Sequence, residues 1–296
     1  MSLGIALGGG GARGLAHIGV LEVLEAHGIR PRYVAGTSIG AVVGALYCLQ
    51  GSAQGLREKA RQMISSDEFR DLKLDKFYTR SDNIITRFRH DLFEKFFLGS
   101  LFFKRSHLKH DATRRIFTDM LGQKTFDDCA AGFVCNALDI QSGEEVVFRH
   151  GPLAGAVWAS CAIPGIFPPC AQGERLLVDG GVIDNIPIKP ARSIGAASVL
   201  AVYLNKRPAF SGGPSTGYHI NQRSFAFMRY HLDQSALAGA DLILEPEVSE
   251  FHWADFNSID VLAELGREAA NRKIGAIKAI SRYRYRFVKI FKRRIS

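Results

Sequence analysis

Two short apolar segments, "LGIAL" (3–7) and "RYVAG" (32–36), flank "RGLAHIGVLEVLEAHG", a stretch whose apolar residues recur at helical spacing. Gly28 stands at its end as the expected C′ residue, with Pro31 beyond it. Strand, helix and strand in this order make a β-α-β unit, whose crossover places the two strands parallel and adjacent. The next segment, "IGAVVGALYCLQG" (39–51), is apolar on every side, as expected of a helix buried beneath that sheet. The chain is therefore expected to build a parallel sheet covered by helices.

The remainder fits one α/β domain. "GFVCNALDI" and "EEVVFRHG" flank "QSGE" as a hairpin, "LAGAVWASCA" reads as a helix stopped by "IPGIFPP", and "RLLV" is a strand meeting Asp179-Gly180-Gly181. "SVLAVYL" (198–204) and "DLILEP" are further strands, with helices near 221–239 and from about 259. Residues 53–125 read as mostly helical, with an aromatic cluster of Phe93, Phe96, Phe97, Phe102 and Phe103 that suits an acyl-chain entrance or ordinary core packing. The 296 residues are 47% hydrophobic, enough for a large core, and no apolar run approaches the roughly 18 residues of a membrane span. With five cysteines forming no C-x-x-C pair and no signal-peptide pattern, the expected location is cytoplasmic. His107-x-x-His110 is the one metal-like spacing and lacks an acidic or thiol partner, so no metal and no cofactor are expected.

The net charge of +9 is uneven. Ten Lys/Arg and no Asp/Glu fall between Arg272 and Ser296, while residues 1–271 hold 28 basic and 29 acidic residues. The expected division is a body over 1–271 and a basic tail over 272–296. Aromatic and aliphatic residues interleave that tail, which suits peripheral contact with an anionic membrane or simply a solvated last helix with a frayed end; nucleic acid is the competing partner and is not expected.

Chemistry concentrates at two turns. "GGGGARG" (8–14) follows the first strand and "GTSIG" (36–40) follows the second, so both lie at one sheet edge. Ser38 has the strand, turn and helix of a nucleophile elbow, although Thr37 or Ser38 could simply cap the helix. A second G-x-S-x-G copy, "GPSTG" (213–217), sits in a loop without a preceding strand, so Ser215 is expected to be an ordinary loop residue. The glycine run has no acidic residue at the end of the second strand, as a dinucleotide site would require, and no Gly-Lys-Ser/Thr, as a phosphate loop would require. What remains is a set of backbone N–H groups beside Ser38, placed where an ester's developing oxyanion needs donors. His219, His231 and His252 are formally available as bases. The better candidate is Asp179 at a strand end, whose competing reading is an Asp-Gly turn.

Together "GGGARG" (9–14), "GTSIG" (36–40), "ASCAIPGIFPP" (159–169) and "DGG" (179–181) resemble, in order and approximate spacing, the patatin-like phospholipase family. The likeness is strongest to the bacterial cytoplasmic branch related to the neuropathy target esterase catalytic domain. It implies a three-layer α/β/α fold with a mostly parallel central sheet and a serine lipid acyl hydrolase acting on (lyso)phospholipids or related esters. It further implies a Ser38–Asp179 dyad without histidine, and an oxyanion hole from the Gly10 and Gly11 amides. Arg13 would hold the loop or meet a substrate phosphate, and Gly9, Gly14, Gly36, Gly40, Gly180 and Gly181 would be motif positions. A non-catalytic lipid- or partner-binding module on the same fold is the alternative.

Overall fold

A computed structural model of the chain describes residues 2–77, 104–210 and 212–281. The aromatic cluster expected at Phe93–Phe103 and residues 282–296 of the basic tail lie outside the described residues. Among the described residues one sheet holds eight strands: β1 Leu3–Leu7, β2 Tyr33–Gly36, β3 Gly132–Asp139, β4 Glu145–Phe148, β5 Cys170–Gln172, β6 Arg175–Asp179, β7 Ser198–Val202 and β8 Leu242–Leu244. The order is β5-β6-β3-β2-β1-β7-β8, with β4 also pairing β3. Strands β1, β2, β3, β7 and β8 run parallel, and β4, β5 and β6 add antiparallel pairs.

The strands alternate between two cores, as the two-residue period of a pleated sheet requires. Ile5, Leu7, Val34 and Leu200 face the larger core, with helices α1 (Ala16–Ala26), α2 (Ile39–Gln50), α3 (Leu56–Ile64), α4 (His110–Leu121) and α5 (Leu153–Cys161). Ala6, Ala35, Val134 and Ala201 face the other way, towards α6 (Ile188–Ser193) and the end of α7 (Gly217–Leu237). Helix α8 (Ile259–Arg272) packs with α1 on the first face. The fold is α/β/α, as the sequence motifs implied. Helix α2 is buried from Ile39 through Cys48, which explains an apolar segment without a polar face. Ile277, beyond α8, is fully buried in the same core.

The sheet's register places the functional turns. Leu7 pairs with both Gly36 and Val202, so the loops after β1, β2 and β7 leave the sheet side by side. The other contribution comes from β3. Cys135 pairs with both Gly36 of β2 and Phe148 of β4, while Ala137 pairs with both Val146 of β4 and Asp179 of β6. A residue can pair only once on each edge, so β4 takes one edge of β3 while β2 and β6 share the other. Strands β2 and β6 therefore approach end to end from opposite directions, and their final residues meet two positions apart along β3.

This convergence leaves no space at the turn after β2. A Cβ at Gly36 would run into the Gly40 carbonyl, and a Cβ at Gly40 would run into the Leu7 carbonyl. The second G-x-S-x-G copy has no such crowding, because Gly213 and Gly217 face open space. Gly40→Ala is accordingly expected to destabilise the fold by about 3 kcal/mol, the upper range for overpacking, whereas Gly217→Ala should change stability by less than about 0.5 kcal/mol. Urea unfolding of the two variants checks the difference.

Candidate active site

Ser38 precedes α2 and adopts φ 55°, ψ −124°, a strained backbone for a residue with a Cβ. The strain is held by neighbours on every side. The Ser38 amide donates to Ser160 Oγ at 2.9 Å, and the Ser38 carbonyl accepts from Ala41 and Val42 at the start of the helix. Thr37 is buried beneath it, with Oγ1 2.8 Å from Asn136 Oδ1 and 3.1 Å from the Asp184 carbonyl. Neither Thr37 nor Ser38 caps α2 through its side chain. The Ser38 hydroxyl is turned instead towards β6, where Oγ donates to Asp179 Oδ2 at 2.6 Å.

Asp179 is buried, and its other oxygen, Oδ1, accepts from the Gly181 amide at 2.7 Å. Its own N–H bonds to the Ala162 carbonyl at 2.9 Å, tying β6 to the segment that supplies Ser160. Burial raises the carboxyl pKa to about 6, against the lowering effects of the Ser38 and Gly181 hydrogen bonds and the charge of Arg229. An exposed aspartate is a weak base at neutral pH, and desolvation moves this one towards the working range.

The glycine loop lies against the same serine: a Cβ at Gly9 would stand 3.3 Å from Ser38 Cβ. Its amides divide into two groups. Those of Gly8, Gly9 and Ala12 donate to the carbonyls of Val202, Asn185 and Trp253. Those of Gly10 and Gly11 donate to no atom of the described residues and line the cavity with Ser38 and Asp179. Arg13 Nε holds the loop by donating to the Gly10 carbonyl at 3.2 Å, and its guanidinium also borders the cavity. From beneath, His17 Nε2 donates to the Gly8 carbonyl at 2.8 Å. Burial pushes the His17 pKa down to about 4, so the ring stays neutral. The cavity has a volume of about 360 Å³, and Arg229, Tyr230 and Asp233 of α7 also border it.

Ser38, Asp179, Gly10, Gly11 and Arg13 thus meet at one cavity, whereas the second serine is elsewhere on exposed surface. Ser215 Oγ lies 3.0 Å from His219 Nδ1 just before and within the first turn of α7, outside the cavity lining. His110 packs its ring edge against Trp158, and among the described residues no three His, Cys, Asp or Glu side chains converge as metal ligands. All five cysteines are free thiols. Ser160, Asn136, His17 and Arg229 were not singled out from the sequence. Ser160 alone had a signal, because it lies within "ASCAIPGIFPP".

The patatin-like phospholipase sequence profile matches residues 5–192. The chain belongs to the patatin-like phospholipase family. An uncharacterised NTE family protein of Mycobacterium tuberculosis is 28% identical over 93% of this chain and 47% of its own length. Human patatin-like phospholipase domain-containing protein 6 is 34% identical over 68% of this chain and 13% of its own length. The chain therefore spans about half or less of these curated relatives. Among solved structures, VipD from Legionella pneumophila superposes with a TM-score of 0.50 at 14% identity, covering 93% of this chain and 66% of that one, which shows the shared fold. Family membership supports a lipid hydrolase function.

The raised carboxyl also has a consequence for stability. With a folded-state pKa of about 6 against an ordinary value near 3.8, ionised Asp179 disfavours folding at neutral pH by about 3 kcal/mol. The group favours the fold below pH 4, and that contribution is lost as pH rises through 6. Asp179→Asn keeps the shape without the charge, so it should be more stable than wild type at pH 7 by up to about 3 kcal/mol, with the difference vanishing below about pH 4. Denaturant unfolding at the two pH values measures it.

Proposed function

We propose that this chain is a serine lipid acyl hydrolase that cleaves acyl esters of (lyso)phospholipids or related lipids through Ser38 and Asp179. The observation that carries the reading is the 2.6 Å hydrogen bond from Ser38 Oγ to Asp179 Oδ2, between residues 141 positions apart, inside a cavity bordered by two uncommitted amides. Ser38 Oγ attacks the ester carbonyl while its proton passes to Asp179 Oδ2. The Gly10 and Gly11 amides donate to the oxyanion of the tetrahedral intermediate. Collapse breaks the ester bond, and the leaving alkoxide takes the proton from Asp179. Water then attacks the acyl-Ser38 ester while Asp179 accepts its proton; the acyl–Oγ bond breaks, Ser38 Oγ takes that proton back, and the fatty acid leaves.

Gly181 would hold Oδ1 of Asp179 still through its amide, leaving Oδ2 aimed at the serine. Arg13 would meet a headgroup phosphate while its Nε fixes the loop. The basic run from Arg272 to Ser296 would supply attraction to anionic lipid, on the strength of its sequence alone.

The test is hydrolysis of a soluble short-chain ester and of a lysophospholipid. Ser38→Ala and Asp179→Asn should each lower kcat/KM at least about a thousandfold, while Ser215→Ala leaves it unchanged. Full activity in Ser38→Ala would defeat the assignment. Since Asp179 must be ionised to accept a proton, kcat/KM should fall below about pH 6. Arg229 favours the ionised form, so Arg229→Gln should move this acid limb to higher pH. An unmoved limb would show that a different group titrates.

A further inference from the structure

Helix α7, Gly217–Leu237, has two adjoining faces of different character. Ala226, Arg229, Tyr230 and Asp233 form part of the cavity wall, and Leu237 is buried in the core. Beside that face, Tyr218, Phe225, Met228 and Leu232 are exposed by 40, 53, 55 and 48%. At 3.6 residues per turn these four fall within a sector of about 80°, immediately next to the cavity-lining positions. Val182, which also borders the cavity, is exposed as well. A stripe of large apolar side chains along the rim of a substrate cavity is more than scattered surface hydrophobicity and indicates an interaction surface.

The lipid-ester reading of the cavity and the basic residues of this stretch together select the stripe's occupant, although Glu245, Glu247 and Glu250 act on Lys206. Residues 205–232 contain Lys206, Arg207, Arg223 and Arg229 and no Asp or Glu, and the first acid beyond them, Asp233, is buried. Lys206 is paired with Glu247, and Arg223 lies over the Phe210 ring at 4.7 Å. A second copy of the chain would bring like charges together and cover the cavity mouth. An anionic bilayer complements the charge, accepts the apolar stripe, and presents lipid to the cavity it covers.

We propose that the outer face of α7, bearing Tyr218, Phe225, Met228 and Leu232 beside the cavity mouth, docks this protein on an anionic lipid bilayer. The choice of occupant rests on reading the cavity as a lipid hydrolase site. On docking, the four side chains enter the interfacial region, and α7 lies in its plane with Arg229 and Asp233 turned to the cavity.

The experiment uses the full chain and vesicles of phosphatidylcholine with and without phosphatidylglycerol at low salt; wild type should bind the anionic vesicles more tightly, and equal binding to both would overturn the anionic preference. Phe225→Gln/Met228→Gln/Leu232→Gln should weaken vesicle co-sedimentation by about tenfold or more, since tenfold is no more than the effect of losing one buried apolar side chain. Turnover of a soluble short-chain ester should be unchanged, which also reports that the variant is folded. Ile220→Gln, exposed on another side of the helix, should bind as wild type does. Phe225→Trp should show blue-shifted emission on adding vesicles, which provides a reading that does not depend on the triple variant folding. Vesicle binding that is absent in wild type, or equal in wild type and the triple variant, would overturn the proposal. So would a wild-type dimer in analytical ultracentrifugation that the triple variant converts to monomer without changing vesicle binding. Absence of ester turnover in wild type would instead count against the hydrolase reading, and co-sedimentation would still decide docking.

Discussion

One strand, β3, lends a single edge to two others, and the arrangement of the site depends on that sharing. Strand β2 arrives from one end and β6 from the other, and neither can continue without colliding. The chain after β2 must turn away at once, which sets the strained backbone at Ser38 and removes side chains at Gly36 and Gly40. The chain of β6 must end there too, which leaves Asp179 at the tip of a strand facing the serine. A hydroxyl and a carboxylate far apart in sequence are thereby held at hydrogen-bond distance by main-chain pairing, a stiffer support than a mobile loop.

The same geometry explains the chemistry of the carboxylate. Asp179 is enclosed by the segment that carries Ser160, by the glycine loop and by α7. Removal from water raises its pKa to about 6, while the Gly181 amide, the Ser38 hydroxyl and Arg229 limit that rise. A less buried aspartate would be a poorer base, and a more isolated one would remain protonated at neutral pH. In the proposed dyad, the balance between desolvation and compensating donors would take the place of the histidine of a three-residue relay. The sign of the linkage means that the ionised carboxylate is maintained against stability.

Much of this was legible in the sequence because punctuation marks coincide with structure. Strand β1 was read at its observed bounds, and β2 and β7 within one or two residues, because glycine, proline or charge brackets a short apolar run. The hairpin of β3 and β4 followed from "QSGE". Strand β5, three residues within a proline-rich stretch, offered no alternation to detect. The helix expected from residue 13 begins as a 3-10 turn over Gly11–Leu15, because the loop carbonyls are directed to Arg13 and His17. Helix α7 starts earlier than expected, at Gly217, since Thr216 caps it through the His219 amide. The ordered motifs pointed to Ser38 and Asp179, whose side chains are hydrogen-bonded in the structure. They did not point to Asn136, His17 or Arg229, because each acts through a contact that exists only after the layers assemble.

The most direct test of the central claim is to map where a fluorophosphonate becomes attached. The reagent phosphonylates an activated serine hydroxyl, and peptide mass spectrometry then reads the modified position. A single adduct on Ser38 is expected, retained in Ser215→Ala, slowed strongly in Asp179→Asn, and abolished in Ser38→Ala. An adduct on another serine, or labelling of Ser38 at the wild-type rate when residue 179 is Asn, would contradict it.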